Sequence, residues 1–270
     1  MKQGLPKGGL QKHKVFKWIC GSSIKGVFNV HKLSVIIPCF NEEEVIPHLA
    51  QELKPVLQEL GQSYHTELIM VDDGSTDKTQ ALLQEHFGSE KDTKIVQHSL
   101  NMNLGAALRT GISHASGDFV VTIDSDCSYH PRVIIDLLKA MDKKTDIVTA
   151  TGLHPQGEHR GTRKYHMFLS RSAAGIYRLL LGSNFYSATS MNRLYRRKVL
   201  DNTKFESNSF SAVSEILAKS LLQGYKLKEI PYVNQKRKFG KSKMNLTKTI
   251  RDHLVLVSKI VVFKISRRWV

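Results

Sequence analysis

Between Leu33 and Ala150, five short apolar, β-branched runs alternate with four stretches of helical apolar spacing. The runs are LSVIIP (33–38), ELIMV (67–71), TKIVQH (93–98), DFVVTID (118–124) and DIVTA (146–150). The helical stretches are Glu42 to Leu60, Thr76 to Phe87, Leu104 to Ala115, and Pro131 to Met141. Few folds accept this order. Apolar strands alternating with amphipathic helices predict an α/β protein with a mostly parallel sheet and helices on both faces. Pro47 and Pro55 predict a kink or split in the first helix, and Ser75 or Thr76 a cap for the second. Beyond residue 151 the pattern loosens. It predicts a basic helix from Lys164 to Leu181, a strand near Ser190–Tyr195, a helix from Phe210 to Gln223, a strand in KLKEIPY, and a helix over 245–266.

In parallel sheets ligands sit beyond the carboxyl ends of the strands. Three of those ends are polar: PCFNEEE after the first strand, DDGSTD after the second, DSDCSYHP after the fourth. Asp124 and Asp126 leave a buried strand together. Two such carboxylates repel each other unless a cation lies between them. Mg²⁺ or Mn²⁺ fits, because hard ions use one or two carboxylates together with substrate phosphates. A lone D-x-D is usually turn chemistry; its alignment with two other acidic strand ends favours the metal. Asp72 and Asp73 can accept from a base or a ribose hydroxyl, while Gly74 turns the backbone and Ser75 or Asp77 caps a helix. Phe40 can lie against a base or simply pack in the core. Glu42 can meet ribose or base donors.

The formal charge is +16, and it is unevenly placed. Residues 1–41, 159–200 and 236–270 together hold 27 of the 40 Lys and Arg and 1 of the 24 acids, Asp252. Such blocks imply a polyanionic neighbour, nucleic acid or an anionic membrane. A nucleic-acid-binding protein is disfavoured, since aromatics rarely interleave the basic blocks, no known binding motif is present, and the acidic strand ends go unexplained. The tail HLVLVSKIVVFKISRRWV mixes aliphatic residues with Lys and Arg, as in a helix lying at a membrane surface, or packed on the sheet or on a partner's membrane helix. No run of eighteen apolar residues and no secretory segment occurs. The three cysteines are too few and scattered for a disulfide framework.

PCFNEEE, VDDGSTDKT, NLGAALRTG and DSDCSYHP, in this order and spacing, resemble the nucleotide-sugar-binding half of a family-2 glycosyltransferase with the GT-A fold. NRLYRRKVL (192–200), Glu215, the E-I-P at 229–231 and Arg237-x-x-Gly240-x-Ser242-Lys243 resemble the dolichol- and polyprenol-phosphate mannosyl- or glucosyltransferases. The resemblance implies an arm at 1–32, a GT-A domain at 33–243 (nucleotide-sugar half 33–150, acceptor half 151–243) and a membrane-surface segment at 244–270. It implies that Pro38, Phe40, Glu42, Asp72, Asp73, Asp124 and Ser125 hold the nucleotide sugar, and that Asp124 and Asp126 hold the divalent ion. Arg237, Ser242 and Lys243, with Arg163, Ser170 and Arg171, would meet donor and acceptor phosphates. Asp126 and Arg237 would be catalytic. The expected reaction is inverting transfer of a hexose, from a GDP-mannose or UDP-glucose type of donor, to a polyprenyl or dolichyl phosphate. The expected place is the cytoplasmic face of a membrane, held peripherally, with or without a membrane-embedded partner protein. A sugar hydroxyl is the alternative acceptor, and a non-catalytic relative a further alternative. Three positions depart from the family pattern: Phe40 stands for tyrosine, Gly152 for arginine and Ser187 for aspartate.

Overall fold

The computed structural model describes residues 31–160, 164–240, 243, 245–266 and 269, with only the backbone of 164–166. Residues 1–30 of the arm expected at 1–32, together with Arg163 and Ser242, lie outside the described residues. The first half runs β1 (Lys32–Cys39), α1 (Ile46–Leu60), β2 (His65–Asp72), α2 (Thr79–Phe87), β3 (Thr93–Gln97), α3 (Leu104–His114), β4 (Phe119–Thr122), α4 (Val133–Ala140) and β5 (Ile147–Thr151). The second half runs β6 (Glu158–His159), α5 (Lys164–Leu181), β7 (Arg193–Arg196), α6 (Arg197–Asn202), α7 (Ala212–Leu222), β8 (Leu227–Pro231), β9 (Val233–Asn234) and α8 (Leu246–Ser266). Two elements of two residues each, β6 and β9, and the short α6 carry no periodic signal and were not expected.

Seven strands form one sheet in the order β3-β2-β1-β4-β7-β5-β8. All neighbours are parallel except β7, which runs antiparallel between β4 and β5. The two halves of the chain therefore share one sheet. Alternation along the strands supplies two cores. Leu33, Val35, Ile37, Leu68, Met70 and Val121 face α1, α2 and α4. Ile36, Ile69, Val71 and Val120 face α3, α7 and α8. Each fully buried aliphatic side chain contributes about 1.5–3 kcal/mol, so both faces hold the sheet.

β1 is central, with β2 on one side and β4 on the other. The chain thus changes direction across the sheet at β1, the place where a crevice opens in such folds. The β1–β4 ladder stops at Ile36–Thr122, with one further bond from Ile123 N–H to the Ile36 carbonyl at 3.2 Å. Pro38, two residues on, points its missing donor to that same side. The ladder has ended there, so a proline costs β1 no bond.

α1 is one continuous helix from Ile46 to Leu60, not split in two. Pro47 lies in the first turn, where no intrahelical donor is needed. Pro55 sits on the solvent side, as does Gln51, whose carbonyl it leaves without a helical partner. α2 begins three residues later than predicted and is not capped by Ser75 or Thr76. The Ser75 Oγ instead accepts from Asn41 N–H at 2.9 Å, while Asp77 Oδ1 accepts from Thr79 N–H at 2.9 Å.

α8 packs on the second core through Leu256 and Ile260. Tyr177 and His253 join it to α5 through a 2.8 Å hydrogen bond, and Lys264 Nζ donates to the Leu180 carbonyl at 2.8 Å. The opposite stripe of Ile250, Leu254, Val261 and Ile265 is exposed, as are Phe168, Ile176 and Leu179 on α5. No helix among the described residues is long and apolar enough to cross a membrane.

Candidate active site

The loops after β1 and β2 lock into each other. Asn41 adopts a left-handed φ of 51° and its Oδ1 accepts from Thr76 N–H at 2.8 Å. Glu42 N–H donates to Thr79 Oγ1 at 2.7 Å, and Glu43 exchanges backbone and carboxylate bonds with Asp77 and Lys78. The Asn-Glu-Glu and Ser-Thr-Asp-Lys-Thr motifs are therefore each other's scaffold. Gly74 has φ +69°, and a Cβ there would lie 2.3 Å from the Leu100 backbone carbon. Only glycine allows that turn against the β3–α3 loop.

This bracing aims particular atoms. Asp72 is fully buried; one carboxylate oxygen accepts from Ser75 N–H at 3.0 Å and the other has no partner. Glu42 is likewise buried, with one oxygen paired to Arg237 and the other, Oε2, without a partner. Burial raises the affinity of Glu42 for a proton, and the charges of Arg237 and then Lys243 oppose it. Lys243, itself exposed, is thus near enough for its charge to act on Glu42. Orphaned buried oxygens are rare in native folds, and two of them lie at or just beyond the carboxyl ends of the paired strands β1 and β2. Asp73 differs. Its carboxylate is occupied by His98 at 2.7 Å, Asn101 at 3.0 Å and Met102 N–H at 3.0 Å. It holds the β3–α3 loop. Phe40 is half-buried beside these groups and Pro38 is buried inside β1.

After β4, Ser125 is buried, and Asp124 and Asp126 are half-buried. Burial, and then the Asp126 charge, push the Asp124 carboxyl well up, with Asn192 and Arg237 opposing. Asn192 Nδ2 donates to Asp124 Oδ2 at 2.9 Å. Asp126 Oδ1 accepts from Ser128 N–H at 2.9 Å, and its Oδ2 lies 3.5 Å from Arg237 Nε. Arg237 therefore bridges Glu42 and Asp126, tying the segment after β9 across the crevice. Among the described residues no three His, Cys, Asp or Glu side chains group as a metal site. Two adjacent carboxylates do remain, one of them destabilised as an anion, with only oxygen ligands. That set fits Mg²⁺ or Mn²⁺ completed by a diphosphate.

A cavity of about 400 Å³ reaches Asp124 from the other side. Its walls are apolar residues of α5 and α8, among them Ala173, Ile176, Ile250 and Leu254, and its polar lining includes Ser170, Ser187, Asn192 and His159. Asp124 is the one carboxylate among the described lining residues. The floor, residues 187–192, is hung on buried polar groups. Glu229 accepts from Tyr186 N–H at 2.5 Å and Ser187 N–H at 3.0 Å. The fully buried Arg193 donates to Thr149 Oγ1 at 2.7 Å and the Val213 carbonyl at 3.0 Å. Glu229, Arg193 and Glu215 thus carry framework rather than ligand. Glu215 accepts from Ser207 N–H at 2.9 Å and pairs with Lys219 at 2.7 Å. Arg171 is exposed near the cavity, where its charge acts on His159.

Sequence reasoning passed over Asn192 and His159. Asn192 stood inside a recognised motif, but its role depends on β7 pairing antiparallel to β4, with Thr122 opposite Arg193. Gly152, where an arginine was expected, has no space for one. A Cβ there would lie 2.7 Å from the Glu158 carbonyl oxygen and 2.8 Å from His159 Nε2.

A mostly parallel sheet with acidic strand ends at its crevice is the GT-A arrangement of sugar transferases. Crystal structures of glucosyl-3-phosphoglycerate synthase from Mycobacterium tuberculosis, one with Mn²⁺ and UDP and glucosyl-3-phosphoglycerate, one with Mg²⁺ and UDP, share this fold. The TM-scores are 0.61 and 0.62 at 19% and 20% identity, covering 88% of this chain and 80% and 79% of those. Residues 34–203 match the model of glycosyl transferase family 2, and the chain belongs to that family. Undecaprenyl-phosphate 4-deoxy-4-formamido-L-arabinose transferases are among its relatives. That of Enterobacter sp. is 33% identical over 226 residues and that of Salmonella paratyphi B 32% over 227, each match covering 82% of this chain. The chain spans 65% of the length of these relatives.

Proposed function

We propose that this protein is an inverting glycosyltransferase that moves a sugar from a nucleotide diphosphate onto the phosphate of a polyprenyl or dolichyl lipid. The observation that supports this acceptor is the apolar cavity between α5 and α8 that ends on Asp124. The relatives named for transfer to undecaprenyl phosphate point the same way. A lipid phosphate is largely dianionic at neutral pH, so it attacks without a protein base. That suits a site with Ser187 where a carboxylate was expected.

On the donor side, the unpartnered oxygens of Asp72 and Glu42 accept from ribose or base, with Phe40 against the ring. Asp124 and Asp126 would hold Mg²⁺ or Mn²⁺, which would neutralise the charge gathering on the departing diphosphate. Arg237 exchanges its carboxylate partners for phosphate oxygens, with Lys243 beside it, and stabilises the leaving group in the same sense. The donor is of the GDP-mannose or UDP-glucose type. The exposed apolar stripes of α5 and α8, with basic residues beside them, hold the protein peripherally on the cytoplasmic face of a membrane. A membrane-embedded partner protein is a second possible anchor on this surface.

Incubating the purified chain with a panel of nucleotide sugars and a short polyprenyl phosphate, with and without Mn²⁺, tests the proposal. One donor is expected to give a lipid-phosphate sugar only with metal. Product on a sugar acceptor and none on the lipid would overturn the acceptor. That second reading has one observation in its favour: a hydroxyl needs a base, and the Asp124 carboxylate is on the cavity lining.

A further inference from the structure

The cavity holds polar atoms that the donor chemistry does not use. His159 ends β6 and lines the cavity, and both its ring nitrogens are buried without a hydrogen-bond partner. Asn192 lines the same cavity at 1% exposure; its Nδ2 is spent on Asp124, while its Oδ1 has no partner. Native folds satisfy buried polar atoms, so orphaned atoms on one cavity lining mark groups that meet a ligand there. They are also of different kinds. The orphaned Asn192 Oδ1 is an acceptor, whereas a neutral imidazole offers a donor and an acceptor. Burial, then the charge of Arg171, keep His159 neutral. Gly152 admits the ring, since any Cβ there would press on Nε2 at 2.8 Å.

Electrostatics orders the cavity. An incoming anion is attracted where the charge of Arg171 acts on His159. We propose that His159 is an acceptor-binding residue whose ring N–H, with Ser170 and Arg171, takes a phosphate oxygen of a prenyl phosphate, while the orphaned Asn192 Oδ1 accepts from a hydroxyl of the transferred sugar. The prenyl chain then lies along the apolar wall of α5 and α8. His159 makes and breaks no covalent bond. This assignment rests on the lipid-phosphate reading above.

Titration calorimetry on the full chain with geranyl phosphate and, separately, geraniol tests it without turnover. The wild type is expected to bind the phosphate about ten-fold or more tightly than the alcohol, the worth of a hydrogen bond to a charged group. His159→Phe keeps a ring without nitrogens. It is expected to shrink that preference to about three-fold or less by weakening the phosphate alone. His159→Gln, which keeps a donor, is expected to restore most of it. A His159→Phe protein that retains the full preference overturns the assignment and leaves the lipid-phosphate reading standing. Equal weakening of both ligands also overturns it, because that is a change of shape. A wild type with no preference overturns both.

Discussion

The half proposed to bind the donor and the half proposed to bind the acceptor build their surfaces by opposite means. On the donor side, polar atoms are aimed by other polar atoms: Asn41, Ser75, Asp77 and Thr79 brace the loops that present Glu42 and Asp72. On the acceptor side, an apolar cavity wall is contributed by two helices about eighty residues apart in the chain, and polar groups appear only at its lining. The difference teaches where selectivity resides. On the proposed function, a hydrogen-bonded loop pair would fix a nucleotide by direction, whereas an apolar cavity would accept a chain by length and leave one polar end to choose the head group. Arg237 joins the two, reaching from the segment after β9 to Glu42 and Asp126.

The comparison breaks most sharply at Asp126. If the donor side works by charge placed for the leaving group, Asp126→Ala lowers transfer by about 10³-fold or more. It also abolishes Mn²⁺-dependent stabilisation by the nucleotide diphosphate in a thermal shift. A loss below about ten-fold in turnover would show that the acidic pair is framework only.

The far end of the same strands shows what polar bracing is worth without a ligand. Glu67 is buried opposite Ser34 and accepts from Ser34 Oγ at 2.6 Å and Ser116 N–H at 2.6 Å. Burial by itself would raise its carboxyl, but hydrogen bonds from Ser34, Ser116 and Lys32 outweigh it and hold it at about 2, against an ordinary 4.5. A lowered carboxyl stabilises the fold above the unfolded value, and that stability is lost as pH falls from about 4.5 through about 2. Urea unfolding at pH 7 is expected to show Glu67→Gln destabilised by about 3 kcal/mol, and the gap to narrow below about pH 4.5 and close only as both proteins are taken through about pH 2. A gap independent of pH would mean that shape, not charge, is lost.

At the junction the expected effect is smaller. Arg237→Lys keeps the charge but not the planar fork, and is expected to lower kcat about 30-fold while the affinity for geranyl phosphate changes less than about three-fold. An equal loss in both would merge the two halves energetically. Smallest is the outer surface. Val261→Asp with Ile265→Asp places charges on the exposed stripe of α8, and sedimentation with anionic vesicles is expected to fall a few-fold. Unchanged sedimentation would turn attention to basic residues alone.

Much of the donor side was legible in the chain itself. β1 to β5 and α1 to α4 follow from local periodicity, because each element's apolar spacing reflects the faces it buries. The acidic strand ends follow too, since carboxylates leaving buried strands are costly without a purpose. Local rules failed where a tertiary partner outbid them. Ser75 bonds Asn41 rather than capping α2, and Pro55 leaves α1 in one piece because its face meets solvent.

The sequence alone determined the sheet's class, the family and the acidic strand ends, because these depend on neighbours a few residues apart. Only the tertiary structure decided which carboxylate oxygens stay unpartnered, that β7 lodges antiparallel between β4 and β5, and that Asn192 and His159 line one cavity with Asp124. Those outcomes are set by pairings across tens of residues. The same side chain has a different free energy in each pairing, and only packing selects among them.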